Sequence, residues 1–490
     1  MSKIKWHTIH NWAGLKLSFL LSFILITGTL ATVSHEIDWL LDNERRIEKP
    51  SNLEDIEWDK AIQVAQMARP AWMIEEMHAP LNEYSIIEAI GLTANGERRR
   101  LFIHPKTYQI QGEASWINVQ RFLRDTHRRL FIMNDWGILL VSSLSLLLMT
   151  SLISGILVYK KFWRGFFKRP RRTTHRLFWG DMHRLTAIWS LWFISMIGVT
   201  SLWYLTEAAL EKWADDPSVY EKGAPSVAFE NHGQTLLALK KSISLSNPAF
   251  SIRLIKLPIA DDDTLEIQGA GQSWLTRPRA NLYAYSGSTR EILHEIKGEN
   301  LSPLQRIVEM ADFLHFGTWG GLCGKILYFL FGCILSGLAL SGLYIYAKRI
   351  NAQSPGKNPT LSKAMGFYKY GALIILVYWL LQIPNFVDSI GNGRQLSGTL
   401  TEFSLAKCKM TLGLTSNKAT LKIDPLCAKS LSWPRGRFSQ EEKKKFKLGS
   451  KGLSLKAKSS SKTFTLILTD SSGHSHRKIF ALDKLIVNRH

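Results

Sequence analysis

Four of the chain's fourteen histidines recur at equivalent places, and their residue type suits metal ligation. His10 precedes Gly28 of a Thr27-Gly28 pair by the same spacing at which His183 precedes Ser201 of a Thr200-Ser201 pair. His127 precedes Gly155 of Ser154-Gly155, and His315 precedes Gly342 of Ser341-Gly342, at spacings that differ by one position. The other histidines do not pair. Under the offset that lays His10 on His183, His35 aligns with Ala208 and His7 with Gly180, while His175 has no first-half counterpart. A neutral imidazole nitrogen is a common metal ligand. A lone histidine at the end of a spanning helix serves equally well as an interfacial polar residue. Two repeat-equivalent pairs favour ligation.

The elements that position these residues are apolar runs. Trp12–Val33, Trp136–Tyr159, Leu185–Leu205 and Trp319–Ala347 are long enough to cross a bilayer core of roughly 30 Å as helices. A fifth run, Gly371–Val387, is shorter and contains Pro384. The first run reads as a retained anchor rather than a cleaved signal, since it exceeds a usual signal core. Basic residues set the orientation. Lys160–Arg184 carries nine Lys and Arg against the single acid Asp181; Lys3 and Lys5 precede the first run, and Lys348 and Arg349 follow the fourth. These places share one side, the cytoplasm, so His10 and His183 begin helices at the inner face and His127 and His315 at the outer face.

The chain thus divides into a first transmembrane helix (1–35), an outside segment (36–125), a second helix (126–160), a basic cytoplasmic loop (161–184), a third helix (185–205), a second outside segment (206–312), a fourth helix (313–349), a linker (350–369), a fifth helix (370–387) and a tail (388–490). The repeat unit is helix, outside segment, helix. Such duplication places paired features at the interface of the halves. Each outside segment opens with a helical stretch, Ile56–Ala68 or Gln234–Ile243, then alternates as strands. A late turn follows in each, HPKTYQIQGE (His104–Glu113) and AYSGSTREILHE (Ala284–Glu295). The tail alternates at period two and reads as all-β.

Two histidines at each membrane face, on different helices, is the arrangement that bis-histidine ligation of two b-type haems requires. Zinc would be left with a half-filled shell. Arg128, Arg129 and Arg184 beside the ligands, with Lys16 and Lys325 further along, are candidates for holding propionates, with helix-end snorkelling as the ordinary reading. The chain contains no CxxCH for covalent haem attachment and no GxGxxG after a strand for a flavin or nicotinamide.

HNWAG (His10–Gly14), the Thr-Gly pair, THRRLF, GDMHRL and LHFGTWGG (Leu314–Gly321) resemble the PepSY-associated transmembrane proteins over about residues 1–350. The outside segments resemble PepSY-like domains, with Tyr108 where the closing turn usually has Gly. The resemblance implies a polytopic α-helical membrane protein with a four-helix haem-binding bundle from two repeats and two periplasmic α+β PepSY-like domains; the fifth helix and the C-terminal β-rich domain depart from that pattern and are read from the residues alone. It implies His10, His127, His183 and His315 as axial ligands. The implied activity is an inner-membrane ferric reductase that carries electrons to a ferric siderophore or other ferric chelate, from an unidentified donor, either a cytoplasmic reductase or quinol.

From Asp388 onward twenty Lys and Arg face seven Asp and Glu, so the tail carries much of the net charge of +22. On the periplasmic side this favours anionic chelates or membrane lipid headgroups, and no nucleic acid. Cys408 and Cys427 could pair in an oxidising compartment; Cys323 and Cys333, too far apart along one helix, could not. His474 and His476 in GHSH form a weak metal candidate. A non-enzymatic, membrane-anchored regulatory or inhibitory module is the alternative function. A siderophore transporter ranks third, since no broken helix pair carries acids at mid-membrane.

Overall fold

The computed structural model describes the chain except for residues 1–2, 17, 71, 94–97, 133–134, 210–231, 259–263, 287–291, 354–364, 390–400, 406–407, 416–417, 424–429, 433–452, 456–462, 470–474 and 482–490. The apolar runs are helical. α1 (Lys3–Lys16), α2 (Ser18–Thr32) and α3 (Ser34–Leu41) precede the first polar segment, and α4 (Trp58–Ala68) lies within it. α5 (Val119–Arg129) leads into α6 (Asp135–Val158), and α7 (His175–Trp189) into α8 (Leu191–Ala209). After α9 (His232–Ser246), α10 (Pro303–Phe316) leads into α11 (Gly321–Gln353). α12 (Tyr368–Ser389) holds the fifth run.

α6 and α11 are each apolar and long enough to span, and α12 is a shorter apolar helix. The expectation of unbroken helices over Trp12–Val33 and Leu185–Leu205 is corrected. α1 and α2 meet at 65°, and α7 and α8 at 67°. No proline or glycine lies at the second break. Ser190 is fully buried there, and its hydroxyl donates to the Thr186 carbonyl at 2.6 Å. A hydroxyl that bonds back into the helix ladder bends it.

The duplication is visible in the packing. α1 lies on α6 as α7 lies on α11; α2 lies on α5 as α8 lies on α10; and α2 crosses to α11 as α8 crosses to α6. α5 and α10, assigned from hydropathy partly to the polar segments, belong to this helical unit, which comprises Met1–Leu40, Asn118–Asp215 and Pro303–Asn385.

The second unit, Leu41–Ile117 with Asp216–Ser302 and the tail, is built on strands. β1 (Met73–His78), β2 (Ile87–Leu92), β3 (Arg98–Ile103) and β4 (Ile110–Ser115) come from the first segment. β5 (Ser251–Lys256), β6 (Thr264–Ala270), β7 (Leu282–Ser286) and β8 (Ile292–Ile296) come from the second. The sequence predicts a separate small sheet for each segment. Instead β1 pairs antiparallel with β5, Met77 opposite Ile255, and one eight-stranded sheet runs β4-β3-β2-β1-β5-β6-β7-β8. α4 and α9 cover one face, where Trp58, Ile62 and Ala65 meet Leu236, Leu239 and Ile243 over Met77, Leu101, Ile255 and Ile267. Burial of this continuous apolar face is the driving force for joining the halves.

Tyr108, standing where glycine is usual, adopts φ 59°. Its hydroxyl accepts the Glu57 N–H at 2.8 Å, and Lys60 lies 4.7 Å over its ring. These contacts offset the cost of a left-handed non-glycine residue. The matching turn in the second segment lies partly outside the described residues. The tail contributes β9 (Thr401–Leu405), β10 (Cys408–Thr415), β11 (Lys418–Ile423), β12 (Ser430–Ser432), β13 (Leu453–Leu455), β14 (Thr463–Thr469) and β15 (Ser475–Ala481). They form two antiparallel sheets, ordered β13-β11-β10-β9 and β12-β14-β15. Cys408 and His476 lie on β10 and β15; Cys427 and His474 lie outside the described residues.

Candidate functional site

Helix caps set where the four histidines stand. α5 begins at Asn118, whose side chain accepts the Arg121 N–H at 2.9 Å. The Asp38 carboxylate of α3 takes the next free donors, Val119 N–H at 2.9 Å and Gln120 N–H at 3.0 Å. A carboxylate at a helix N-terminus satisfies orphan amides and complements the dipole. His127 lies near the other end of α5. α7 begins at Thr174, which accepts the Leu177 N–H at 3.3 Å, and carries His183 further along. His10 sits on α1 and His315 at the end of α10.

The helices bring the residues together in the pairs the repeat implies. The ring centres of His10 and His183 lie 6.5 Å apart at an interplanar angle of 75°. Those of His127 and His315 lie 6.2 Å apart at 31°. In all four the bonded nitrogen is Nδ1. His10 Nδ1 lies 3.0 Å from the Ser151 carbonyl and 3.2 Å from Ser154 Oγ. His183 Nδ1 lies 2.9 Å from Ser341 Oγ. His127 Nδ1 meets the Ile24 carbonyl at 2.9 Å, and His315 Nδ1 meets Thr200 Oγ1 at 2.9 Å. Ligand histidines are commonly fixed through one nitrogen so that the other faces the metal.

This donor set fits an axial pair. Two metal–nitrogen bonds of about 2 Å each, plus two imidazole radii of ~1.1 Å, place ring centres about 6 Å apart. Among the described residues no group of three or more His, Cys, Asp or Glu is placed to hold a metal. Each pair therefore brings together two imidazoles from different helices, with no third such side chain placed to complete a metal site among the described residues. Small residues lie against the rings: a Cβ on Gly155 would stand 3.4 Å from His10 Cε1, one on Gly342 3.5 Å from His183 Cε1, and one on Gly28 2.5 Å from His127 Cε1.

The neighbouring cations divide. Arg128 is exposed at the end of α5. Arg129 pairs with Asp125 at 3.5 Å. Arg184 pairs with Asp181, which Arg171 also holds at 2.8 Å. Lys325 is bonded to Glu36 at 2.7 Å. The Lys16 side chain lies outside the described residues. Of the arginines that the sequence singles out beside the histidines, Arg128 is the one left available to an added anionic group among the described residues. His7 bonds Asn11 at 3.0 Å, and His175 is exposed at the start of α7.

In the sequence Ser154, Thr200 and Ser341 are only repeat markers; in the structure their hydroxyls are the groups that orient the rings. Sequence reasoning misses Tyr204, whose ring lies 5.1 Å from that of His315 and whose hydroxyl donates to Asp312 at 2.6 Å. Asp312 in turn lies within electrostatic reach of Arg124 on α5. Arg124 precedes His127 by the spacing at which Asp312 precedes His315, a signal of complementary charge at equivalent positions. Cys323 and Cys333 are both free.

The family described as PepSY-associated TM region matches residues 7–349. That span holds all four histidines and both polar segments. A comparison with curated proteins finds no match.

Proposed function

The chain belongs to the PepSY-associated transmembrane family, and on that footing we propose that it is a di-haem oxidoreductase of the bacterial inner membrane that delivers electrons to periplasmic ferric chelates. The observation that carries this reading is the geometry of the two histidine pairs, each drawn from both repeats, each with Nδ1 tied to the bundle and ring centres 6.2 and 6.5 Å apart.

His10 and His183 would hold one b-type haem toward the cytoplasmic side, and His127 and His315 the other toward the periplasm. Bound haem supplies a one-electron carrier whose potential follows its ligands and surroundings. The residues of the chain do the rest. Ser151, Ser154, Ser341, Thr200 and the Ile24 carbonyl hold each imidazole in one tautomer and orientation. Leu148, Phe193, Ile194, Leu335 and Leu338 pack the bundle and keep it dry. Arg128 offers a cation to a propionate or to an anionic ferric chelate. The donor is quinol or a cytoplasmic reductase. The substrate is a ferric chelate, whose reduction loosens the grip of hard oxygen ligands on the iron.

Purified protein from haem-replete cells tests this. The expected result is a red protein with a low-spin b-type spectrum that changes on dithionite reduction and about two haems per chain. Colourless protein overturns it and leaves a membrane-anchored module without redox chemistry.

A further inference from the structure

The two repeats turn into their second helix by different means. In the second repeat, α10 ends at Gly317, which adopts φ 68°. Glycine is the usual residue at a left-handed helix end. In the first repeat, α5 ends at Leu130 with φ 51°, followed by Phe131 with φ 57°. Two successive large residues in this region are strained, and such residues persist only where the surroundings hold them. Both are 1 % exposed.

What surrounds them includes α12, which lies beyond the family match ending at residue 349. Ala372, Ile375, Leu376 and Trp379 of α12 pack with Leu20, Ile24 and Leu130. Trp379 lies parallel to the Phe131 ring, at 13° and 6.2 Å between centres, and edge-on to Phe23 at 4.9 Å and Phe122 at 6.5 Å. Phe122 lies on α5, and its ring meets that of Phe131 at 5.3 Å. Ile24 supplies the carbonyl that orients His127. One indole therefore touches α2, α5 and the turn that follows α5. The Leu130 N–H bonds the Thr126 carbonyl at 3.0 Å, the Phe131 N–H the Asp125 carbonyl at 3.3 Å, and the Ile132 N–H the Arg129 carbonyl at 2.8 Å. Release of the turn would unwind the residues on either side of His127.

We propose that α12 is a positioning element for His127: Trp379 clamps Leu130 and Phe131 in their left-handed conformations and so fixes the end of α5 and the stance of the His127 ring. His315 needs no such clamp, because Gly317 takes its conformation without a Cβ penalty. The consequence for a cofactor rests on the haem reading above; the clamp itself does not.

The test is Trp379→Leu in the full chain, read two ways. In hydrogen exchange by mass spectrometry, peptides covering residues 122–132 should exchange about tenfold faster while those covering 309–317 stay unchanged, as local rather than global opening requires. In redox titration and low-temperature electron paramagnetic resonance, one haem should shift in potential and signal and the other keep both. Trp379→Phe, which retains a flat ring, should restore both readouts. If Trp379→Leu does not insert, Trp379→Met removes the ring with a longer, unbranched side chain and is read the same way. Unchanged exchange at 122–132, equal acceleration at both helix ends, or a shift in both haems overturns the proposal. A wild-type protein without haem sinks the oxidoreductase reading, and the exchange data still decide the clamp.

Discussion

In the pair formed by His10 and His183, each ring is met by the serine of a Ser-Gly step on a spanning helix, Ser154-Gly155 or Ser341-Gly342. In the pair formed by His127 and His315, one ring leans on a backbone carbonyl over Gly28, and the other on the Thr200 hydroxyl with Tyr204 beside it. The shared topology of the repeats suffices to bring both pairs to the same spacing. Their orientation is set locally, and the interplanar angles of 75° and 31° record that. Spacing is a property of the helix frame, whereas the field around each ring is a property of single side chains.

The sharpest way to break this comparison is to remove one ring. On the proposed di-haem reading, His127→Ala should lower haem content to about half and leave one low-spin signal, and His10→Ala should do the same for the other signal. Haemochrome content with spectroscopy checks it, and His175→Ala is the silent control. If either variant loses both haems, the pairs are not independent.

The next effect separates the halves of the second pair. A Cβ at Gly28 would lie 2.5 Å from His127 Cε1, so Gly28→Ala must push the ring aside. Its counterpart Ser201 already carries a Cβ. Gly28→Ala should weaken haem retention at that site by about tenfold or more, comparable to losing an outer-shell partner, and Thr200→Val by about tenfold through His315. Thr27→Val, at the position equivalent to Thr200, should change little, because among the described residues the Thr27 hydroxyl bonds the Phe23 and Ile24 carbonyls of its own helix. Haem dissociation to apomyoglobin checks all three.

The smallest effect lies in the strand unit, where β1 and α4 carry opposed titrations. Burial raises the Glu76 carboxyl, but the hydrogen bond from His78 and the charges of Arg98, His78 and Lys256 outweigh it and hold the group at about 2. Burial holds Asp59 up at about 6, against the pull of Lys240 and with a push from Glu57. A depressed carboxyl stabilises above its unfolded value of 4.5, and that contribution is lost as pH falls toward 2. A raised one destabilises above 6, and that penalty is relieved as pH falls from 6 toward 3.8. Slowed amide exchange in α4 between pH 7 and 5, after correction for intrinsic rates, should therefore vanish in Asp59→Asn.

Much of the candidate site was legible because duplication marks it. His10, His127, His183 and His315 could be picked from fourteen by register alone. The bend at Ser190 was not legible, since it depends on one hydroxyl turning back to Thr186 in a buried setting. The single sheet was not legible either. β1 and β5 belong to different halves of the repeat, and their pairing follows from the docking of two half-sheets, not from the pattern of either strand. Tyr108 lay between these cases: the sequence showed the departure from glycine, and the structure showed the hydroxyl contact with Glu57 that sustains it.

Hydropathy, charge asymmetry and internal repetition, all readable along the chain, determined the apolar spans, the repeat unit and the histidine pairs. These are sums over neighbouring residues and need no knowledge of distant contacts. Tertiary structure alone decided which nitrogen of each ring is bonded, that Arg129 and Arg184 are committed to Asp125 and Asp181, and that α12 packs on the first repeat. Each of these depends on the placement of particular atoms within hydrogen-bond or van der Waals reach, distances that no local pattern encodes.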